Sequence, residues 1–323
     1  MLNELGYNAI SLTGWQAGIY TNNTNQNALI ENIDTTRICK ELENRNIVII
    51  TGFQGYNSNL DITTLGRGGS DTSAVAVAAA LNAKHCYIFS DVDGVYTTDP
   101  NKILQAQKLE TLSYVEMLDI SNEGAKVLHN RCVEIGEKFN IPIITQSTFN
   151  NKAGSIINDK IEDNMVKSIV KNDDLILVNL RNFKKSKDST NSKGLKDSKD
   201  SFNYIYKCLI KQNIIPIKIM NNSNNTFNMD FLIKSTEFNK FQKILETDLN
   251  IFDSSFKNIS RIAVIGYGIT YNNVVLQKVM NIIDTYNLNI FCIDVSDGKI
   301  AVTFNEKVEN AVLELLHEKL FEI

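Results

Sequence analysis

Short apolar runs separated by longer amphipathic stretches mark the first half of the chain. Ala9–Leu12, Ile47–Thr51, Cys86–Phe89 and Pro142–Ile144 read as strands. Thr36–Asn44, Asp71–Ala83 and Ala125–Phe139 carry helical patterns between them. Strands alternating with helices predict βαβ units, hence an α/β fold with a mostly parallel sheet covered on both faces. In such sheets ligands gather beyond the carboxyl ends of the strands.

The pattern weakens over 159–174, which reads as a linker closing a first domain at residues 1–158. An internal repeat follows. Leu175–Leu180, Phe202–Gln212, Ile214–Met220, Phe227–Lys234 and Phe238–Leu245 run strand, helix, strand, strand, helix. Arg261–Gly266, Val274–Tyr286, Asn289–Val295, Lys299–Phe304 and Val308–Leu320 repeat that order. The order is the ferredoxin-like α+β arrangement and predicts two small domains, 175–250 and 255–323. Lys184–Ser201, rich in Lys, Asp and Ser without apolar period, reads as a mobile loop inside the first.

Composition narrows the possibilities. A formal charge of −4 gives no basis for nucleic acid or an anionic membrane as partner. The five cysteines are scattered without a CxxC pair, and the three histidines lie far apart, so neither a disulfide frame nor a metal cluster is expected. No apolar run approaches the roughly 18 residues of a membrane helix and no signal peptide is visible, so a cytoplasmic protein is expected.

Three loops carry the chemistry. In Thr63-Thr64-Leu65-Gly66-Arg67-Gly68-Gly69-Ser70-Asp71-Thr72, the glycines let a ligand approach the main chain. Ser70 or Asp71 can cap the following helix, whose N-terminus then faces the loop's ligand. Arg67 can clamp a carboxylate or phosphate through two parallel hydrogen bonds. No Gly-Lys-Ser/Thr follows, so this is not a Walker loop. Ser90-Asp91-Val92-Asp93-Gly94-Val95-Tyr96-Thr97-Thr98-Asp99-Pro100 follows a strand directly. Its carboxylates and hydroxyls suit ribose or metal-bound phosphate, and Tyr96 offers a flat face to a base; taken alone, the loop is equally a structural turn. In Gly124-Ala125-Lys126, read as a helix start, the lysine can reach a phosphate.

With Ser11–Gly18 and Gly52-Phe53-Gln54-Gly55, these blocks resemble bacterial aspartate kinases in order and spacing, and the repeats resemble that family's paired ACT domains. The resemblance implies part of the amino-acid-kinase fold followed by two ACT domains. It implies transfer of the γ-phosphoryl of ATP, carried with Mg2+, to the β-carboxylate of L-aspartate. It places the substrate at Phe53, Arg67, Gly68, Gly69 and Ser70, and the nucleotide at Ser70, Ser90, Asp91, Tyr96, Asn101 and Lys126. Arg67, Asp91 and Lys126 would carry catalysis, with no protein-held metal cluster. A lysine or threonine effector would meet Asn221, Asn289 and Ile290, and a homodimer would form through the ACT-like domains.

Several positions depart from the family pattern. Asn101 stands where an arginine is usual and Asn130 where a proline is usual. The effector-framing turns are replaced by Lys184–Ser201 and by Thr270-Tyr271-Asn272-Asn273-Val274, so tight effector binding is not expected, with lysine favoured by Asp294 and Asp297. The family's Lys-x-Gly-Gly-Thr-Ser loop does not occur, and the resemblance begins just after the family's N-terminal Gly-Glu pair, so residues 1–323 alone are expected to transfer phosphate poorly. A non-catalytic regulatory subunit and another amino-acid kinase, such as a glutamate kinase, are the alternatives.

Overall fold

The computed structural model describes residues 1–161, 166–183, 198–221, 227–271 and 273–321. The first half contains β1 (Ala9–Leu12), β2 (Ile19–Thr21), β3 (Ile30–Ile33), α1 (Thr36–Glu43), β4 (Ile47–Ile50), β5 (Gln54–Tyr56), β6 (Ile62–Thr64) and α2 (Gly69–Ala80). β7 (Cys86–Ser90), β8 (Val95–Tyr96), β9 (Lys108–Leu109), β10 (Thr111–Ser113), α3 (Tyr114–Asn122), α4 (Asn130–Phe139), β11 (Ile143–Ser147) and β12 (Ser155–Asn158) complete it.

The expected βαβ character is present in the parallel pairs β1–β4, β7–β11 and β10–β12. Antiparallel pairs, among them β2–β3, β5–β6 and β11–β12, make the whole mixed. Helix α2 holds the half together. Its Val77 and Leu81 pack with Leu12, Val48 and Ile50 of β1 and β4, while Val75 and Ala78 pack with Cys86 and Ile88 of β7. An Ala-rich helix suits this position because its small side chains let strands approach from two sides. The strand side chains facing away from α2 are open to solvent, Ile47 and Ile49 on β4 and Tyr87 and Phe89 on β7.

The second half contains β13 (Ser168–Phe183), α5 (Ser198–Lys211), β14 (Lys218–Asn221), β15 (Asn228–Lys234), α6 (Phe238–Thr247), β16 (Phe252–Ile265), α7 (Asn273–Thr285), β17 (Ile290–Ser296), β18 (Lys299–Phe304) and α8 (Asn310–Phe321). The repeat is present in the predicted order, but its two units share one sheet, β14-β15-β13-β16-β18-β17. β13 and β16 pair along almost their whole length and pass through both units. β13 begins inside the stretch expected to be linker, because Ser168–Asn172 pairs with Arg261–Ile265. Within the stretch expected to be a mobile loop, Ser198–Ser201 is the first turn of α5, and 184–197 lie outside the described residues.

Alternation along β16 decides what each side of the sheet meets. Ile262 and Val264 face α7 and α8, joining Val275, Val279, Leu313 and Leu316. Ala263 and Ile265 face the first half, joining Met117, Ile120 and Leu128. The sheet also curls. Phe291 of β17 packs against Leu175, Leu177, Leu232 and Ile259, and Lys218 of β14 pairs with Asp294 of β17, although these two strands are the outermost of the sheet.

Candidate functional site

The glycine loop sits between β6 and α2. Gly68, at φ +69°, is the N-cap of α2, and no side chain caps the helix. The expected cap at Ser70 or Asp71 is therefore absent; both lie within the first turn. The helix starts earlier because Gly68 takes the left-handed conformation that turns the chain into it. A Cβ at Gly68 would lie 2.3 Å from that of His129, so only glycine admits this approach. Arg67 stands exposed at the tip of the turn. Phe53 lies alongside with φ +71° and its ring against Gly69. Its carbonyl accepts from Leu65 N at 2.9 Å and its N–H donates to Ser73 Oγ at 3.1 Å.

A cavity of about 820 Å³ opens beside the second loop. Asp91, Tyr96, Asn101 and Lys126 line it, together with Lys171, Asn172 and Asp174 of β13. Ser90 lies at the end of β7 with its hydroxyl turned to the main chain of Val92, both contacts at 3.2 Å. Tyr96 OH donates to Asp93 Oδ1 at 2.7 Å, which fixes the ring on the cavity wall. Lys126 does not start a helix. α3 ends at Asn122 and α4 begins at Asn130, leaving 124–129 as an irregular connection, with Gly124 at φ +115°. That connection links the two loops: Gly124–Val127 line the cavity, and His129 lies against Gly68.

The profile of the amino acid kinase family matches residues 1–145. An aspartokinase of Bacillus sp. (strain MGA3) is 36% identical over 98% of this chain and 76% of its own length. The chain belongs to the aspartokinase family. It is thus a phosphotransferase of amino-acid biosynthesis. Among solved structures, E. coli aspartokinase III in complex with aspartate and ADP superposes with TM-score 0.79 at 22% identity, over 99% of this chain and 71% of that one. The same enzyme in complex with lysine and aspartate superposes with TM-score 0.75 at 21% identity, over the same shares. These two likenesses bear on the fold.

Within this aspartokinase, the polar environment divides the loops. Burial pushes the His129 imidazole below its ordinary value, and the cations Arg131 and Arg67 push it the same way. Burial raises the Asp71 carboxyl, opposed by His129. On the cavity wall, the hydrogen bond to Asp93 and burial push the Tyr96 hydroxyl up to about 12, and that same bond holds Asp93 low. Tyr96 is therefore neutral, and its hydroxyl proton is committed to Asp93.

Sequence reasoning missed Arg131. From α4 it donates to Leu65 O at 2.5 Å and Ala28 O at 2.7 Å, tying down the residue that enters the glycine loop. A single arginine in the first turn of an amphipathic helix looks like any solvated one, so no local signal marked it.

The effector positions lie on the two outermost strands. The backbone of Asn221 pairs with Met229 at the end of β14, and its side chain lies outside the described residues. Ile290 opens β17, and Asn289 precedes it with its N–H donating to Glu306 Oε1 at 3.3 Å. Asp294 does not stand free for an incoming ammonium, since Arg261 and Lys218 already pair with it. Tyr271 closes a short 3-10 turn, and residue 272 lies outside the described residues.

Proposed function

We propose that the chain transfers the γ-phosphoryl group of ATP to the β-carboxylate of L-aspartate, with residues 1–158 as the catalytic domain and 175–250 and 255–323 as paired regulatory domains. The observation that carries this reading is the cavity that unites Asp91, Tyr96, Asn101 and Lys126, joined to the glycine loop by the 124–129 connection. Phosphoryl transfer asks a protein mainly for positioning and charge stabilisation. Arg67 holds a substrate carboxylate by paired charge-assisted bonds. The uncapped N-terminus of α2, with Gly69 and Ser70 in its first turn, adds N–H groups and the positive end of the helix dipole. Phe53 closes the other side of this loop. Tyr96 and Asn101 hold the nucleoside side, with Ser90 fixing the turn that presents Asp91. Lys126 contacts the phosphates that ATP and ADP share and offsets charge there as the γ-phosphoryl moves.

Magnesium bound to the nucleotide would neutralise phosphate charge. The residues fit that role, because an ion held by phosphates and water needs only one or two protein carboxylates. Asp91 is exposed on the cavity lining, and no cluster of three or more metal-ligating side chains occurs among the described residues.

The complex of the E. coli enzyme with lysine and aspartate supports lysine as the effector class, and the outer strands β14 and β17 support a homodimer paired through the C-terminal sheet. No helix among the described residues is long and apolar enough to cross a membrane.

Two measurements test the reading. Incubation with ATP, magnesium and L-aspartate should give, at the low rate expected without the family's Lys-x-Gly-Gly-Thr-Ser loop, an acyl phosphate that hydroxylamine traps as the aspartyl hydroxamate, with glutamate giving none. Calorimetry should show that Arg67→Ala weakens aspartate binding and spares ADP. Loss of ADP binding alone in that variant would move Arg67 to the nucleotide and overturn the assignment.

A further inference from the structure

Glu123 follows α3 and immediately precedes Gly124-Ala125-Lys126. It is 6% exposed, and strands of the C-terminal sheet hold both its carboxylate oxygens. Arg261 Nε donates to Oε2 at 2.8 Å and Nη2 to Oε1 at 3.3 Å. Lys299 Nζ lies 3.0 Å from Oε1 and reaches Asp119, one turn back on α3, at 3.1 Å. Arg261 is itself braced from its far side. Its Nη1 donates to Thr303 Oγ1 at 2.8 Å and to Asp294 Oδ2 at 2.7 Å.

A two-pronged arginine–carboxylate pair fixes orientation as well as distance. The residue after Glu123 is confined too. Gly124 has φ +115°, and a Cβ there would lie 2.7 Å from Asn172 Nδ2 on β13. The chain thus leaves α3 in one direction, and two residues later Lys126 stands on the lining of the cavity beside Asn172. Lys126 itself is 74% exposed, and its ion pair among the described residues is with the similarly open Asp174, at 3.6 Å. An exposed pair of that kind contributes little. What places Lys126 is therefore the main chain before it.

We propose that Arg261, seconded by Lys299, is a positioning residue for nucleotide binding: it anchors Glu123 to the C-terminal sheet and so sets where Lys126 enters the cavity. The proposal rests on the nucleotide reading of that cavity. The C-terminal sheet then acts as part of the nucleotide site, since movement of β16 or β18 against α3 carries Lys126 with it.

The test is a double-mutant cycle on the full chain, read by ADP affinity in calorimetry. Lys126→Ala should weaken ADP binding about tenfold, the worth of one charge-assisted contact. Arg261→Gln and Lys299→Gln should each weaken it about three- to tenfold. In the Lys126→Ala background neither should weaken it further, because the residue they position is gone. A role confined to stiffening the joint would lower affinity by the same factor in both backgrounds, and that result overturns the proposal. So does ADP affinity unchanged by either glutamine variant while Lys126→Ala loses it. If Arg261→Gln fails to fold, Lys299→Gln, at a partly exposed site, decides alone. Absence of ADP binding by the unaltered chain, or an Lys126→Ala variant that binds normally, overturns the nucleotide reading and this inference together.

Discussion

Thr97 Oγ1 and His317 Nε2, 220 positions apart, lie 2.8 Å from each other in a buried hydrogen bond. Thr97 follows Tyr96 in the loop beside the cavity, and His317 belongs to α8. The same loop is held at two further points: Ile169 N donates to Thr97 O at 2.7 Å, and Ser168 Oγ donates to Tyr96 O at 3.2 Å. Beyond the loop, Ile103 is 2% exposed and inserts among the apolar side chains of α7 and α8. His317→Ala should therefore destabilise the chain by about 2–3 kcal/mol, through the void and the Thr97 hydroxyl proton left without its acceptor, although Gln107 N still donates to that oxygen at 2.9 Å. Urea unfolding measures this, and a loss below about 0.5 kcal/mol would show that the bond is not maintained in solution.

Burial holds both His317 and His129 below the ordinary histidine value of 6.5. The unfolded chain then takes up protons first as pH falls. Their contribution to stability is complete above pH 6.5 and is lost as pH falls from there through the folded-state values. The urea midpoint should be level from about pH 7 to 8 and decline as pH falls below 6.5. Replacing both histidines by glutamine should flatten that decline, and an unchanged slope would assign it to other groups.

Arg131→Ala should loosen the glycine loop without touching the cavity. Two charge-assisted bonds to main-chain carbonyls are lost, each worth about 1.5–3 kcal/mol before relaxation. Aspartate affinity should fall by about tenfold or more while ADP affinity changes little. Equal losses for both ligands would point to general unfolding, which a melting curve on the same sample identifies.

Ser113 and Glu116 form a reciprocal capping box at the start of α3, with Glu116 N donating to Ser113 Oγ at 3.2 Å and Ser113 N to Glu116 Oε2 at 2.8 Å. Ser113→Ala should cost about 0.5–2 kcal/mol. Because α3 carries Asp119 and leads into Glu123, the same variant should also weaken ADP binding modestly. A stability loss with no change in ADP binding would separate the start of α3 from its end.

The outer edges of β14 and β17 pair with no described strand, and such edges invite pairing with a second copy. Light scattering on the full chain should give a dimer at micromolar concentration, and a monomer at high micromolar concentration would remove the C-terminal sheet as an interface.

Much of the candidate site was legible locally. The glycine loop combines residues whose main-chain freedom, charge and helix-opening position all act within a few residues, so its place at the opening of α2 followed from its own letters. The repeat order was legible for the same reason, since periods of two and 3.6 register on neighbouring side chains. The short strands β2, β3, β5 and β6 were not seen, because Thr21, Glu31, Asn32, Gln54, Thr63 and Thr64 break the apolar runs that marked β1 and β4. The starts of α2 and α4 shifted because Gly68 and the 124–129 connection answer to His129 and Asn172, which are remote in sequence.

The sequence by itself determined the family, the glycine loop at the opening of α2 and the order of the repeated elements, since each rests on local side-chain chemistry in a recognisable order. Only the tertiary structure decided that the two units share one sheet, that Arg261 holds Glu123, and that β13 walls the cavity. Strand pairing uses main-chain groups that every residue has, so the partnership of β13 with β16 leaves no mark on either segment alone. A buried arginine is spelled like an exposed one. Although burial tends to raise the Glu123 carboxyl, the bonds and charge of Arg261, with Lys299, hold it below the ordinary range, and that balance exists only once α3 and β16 have met.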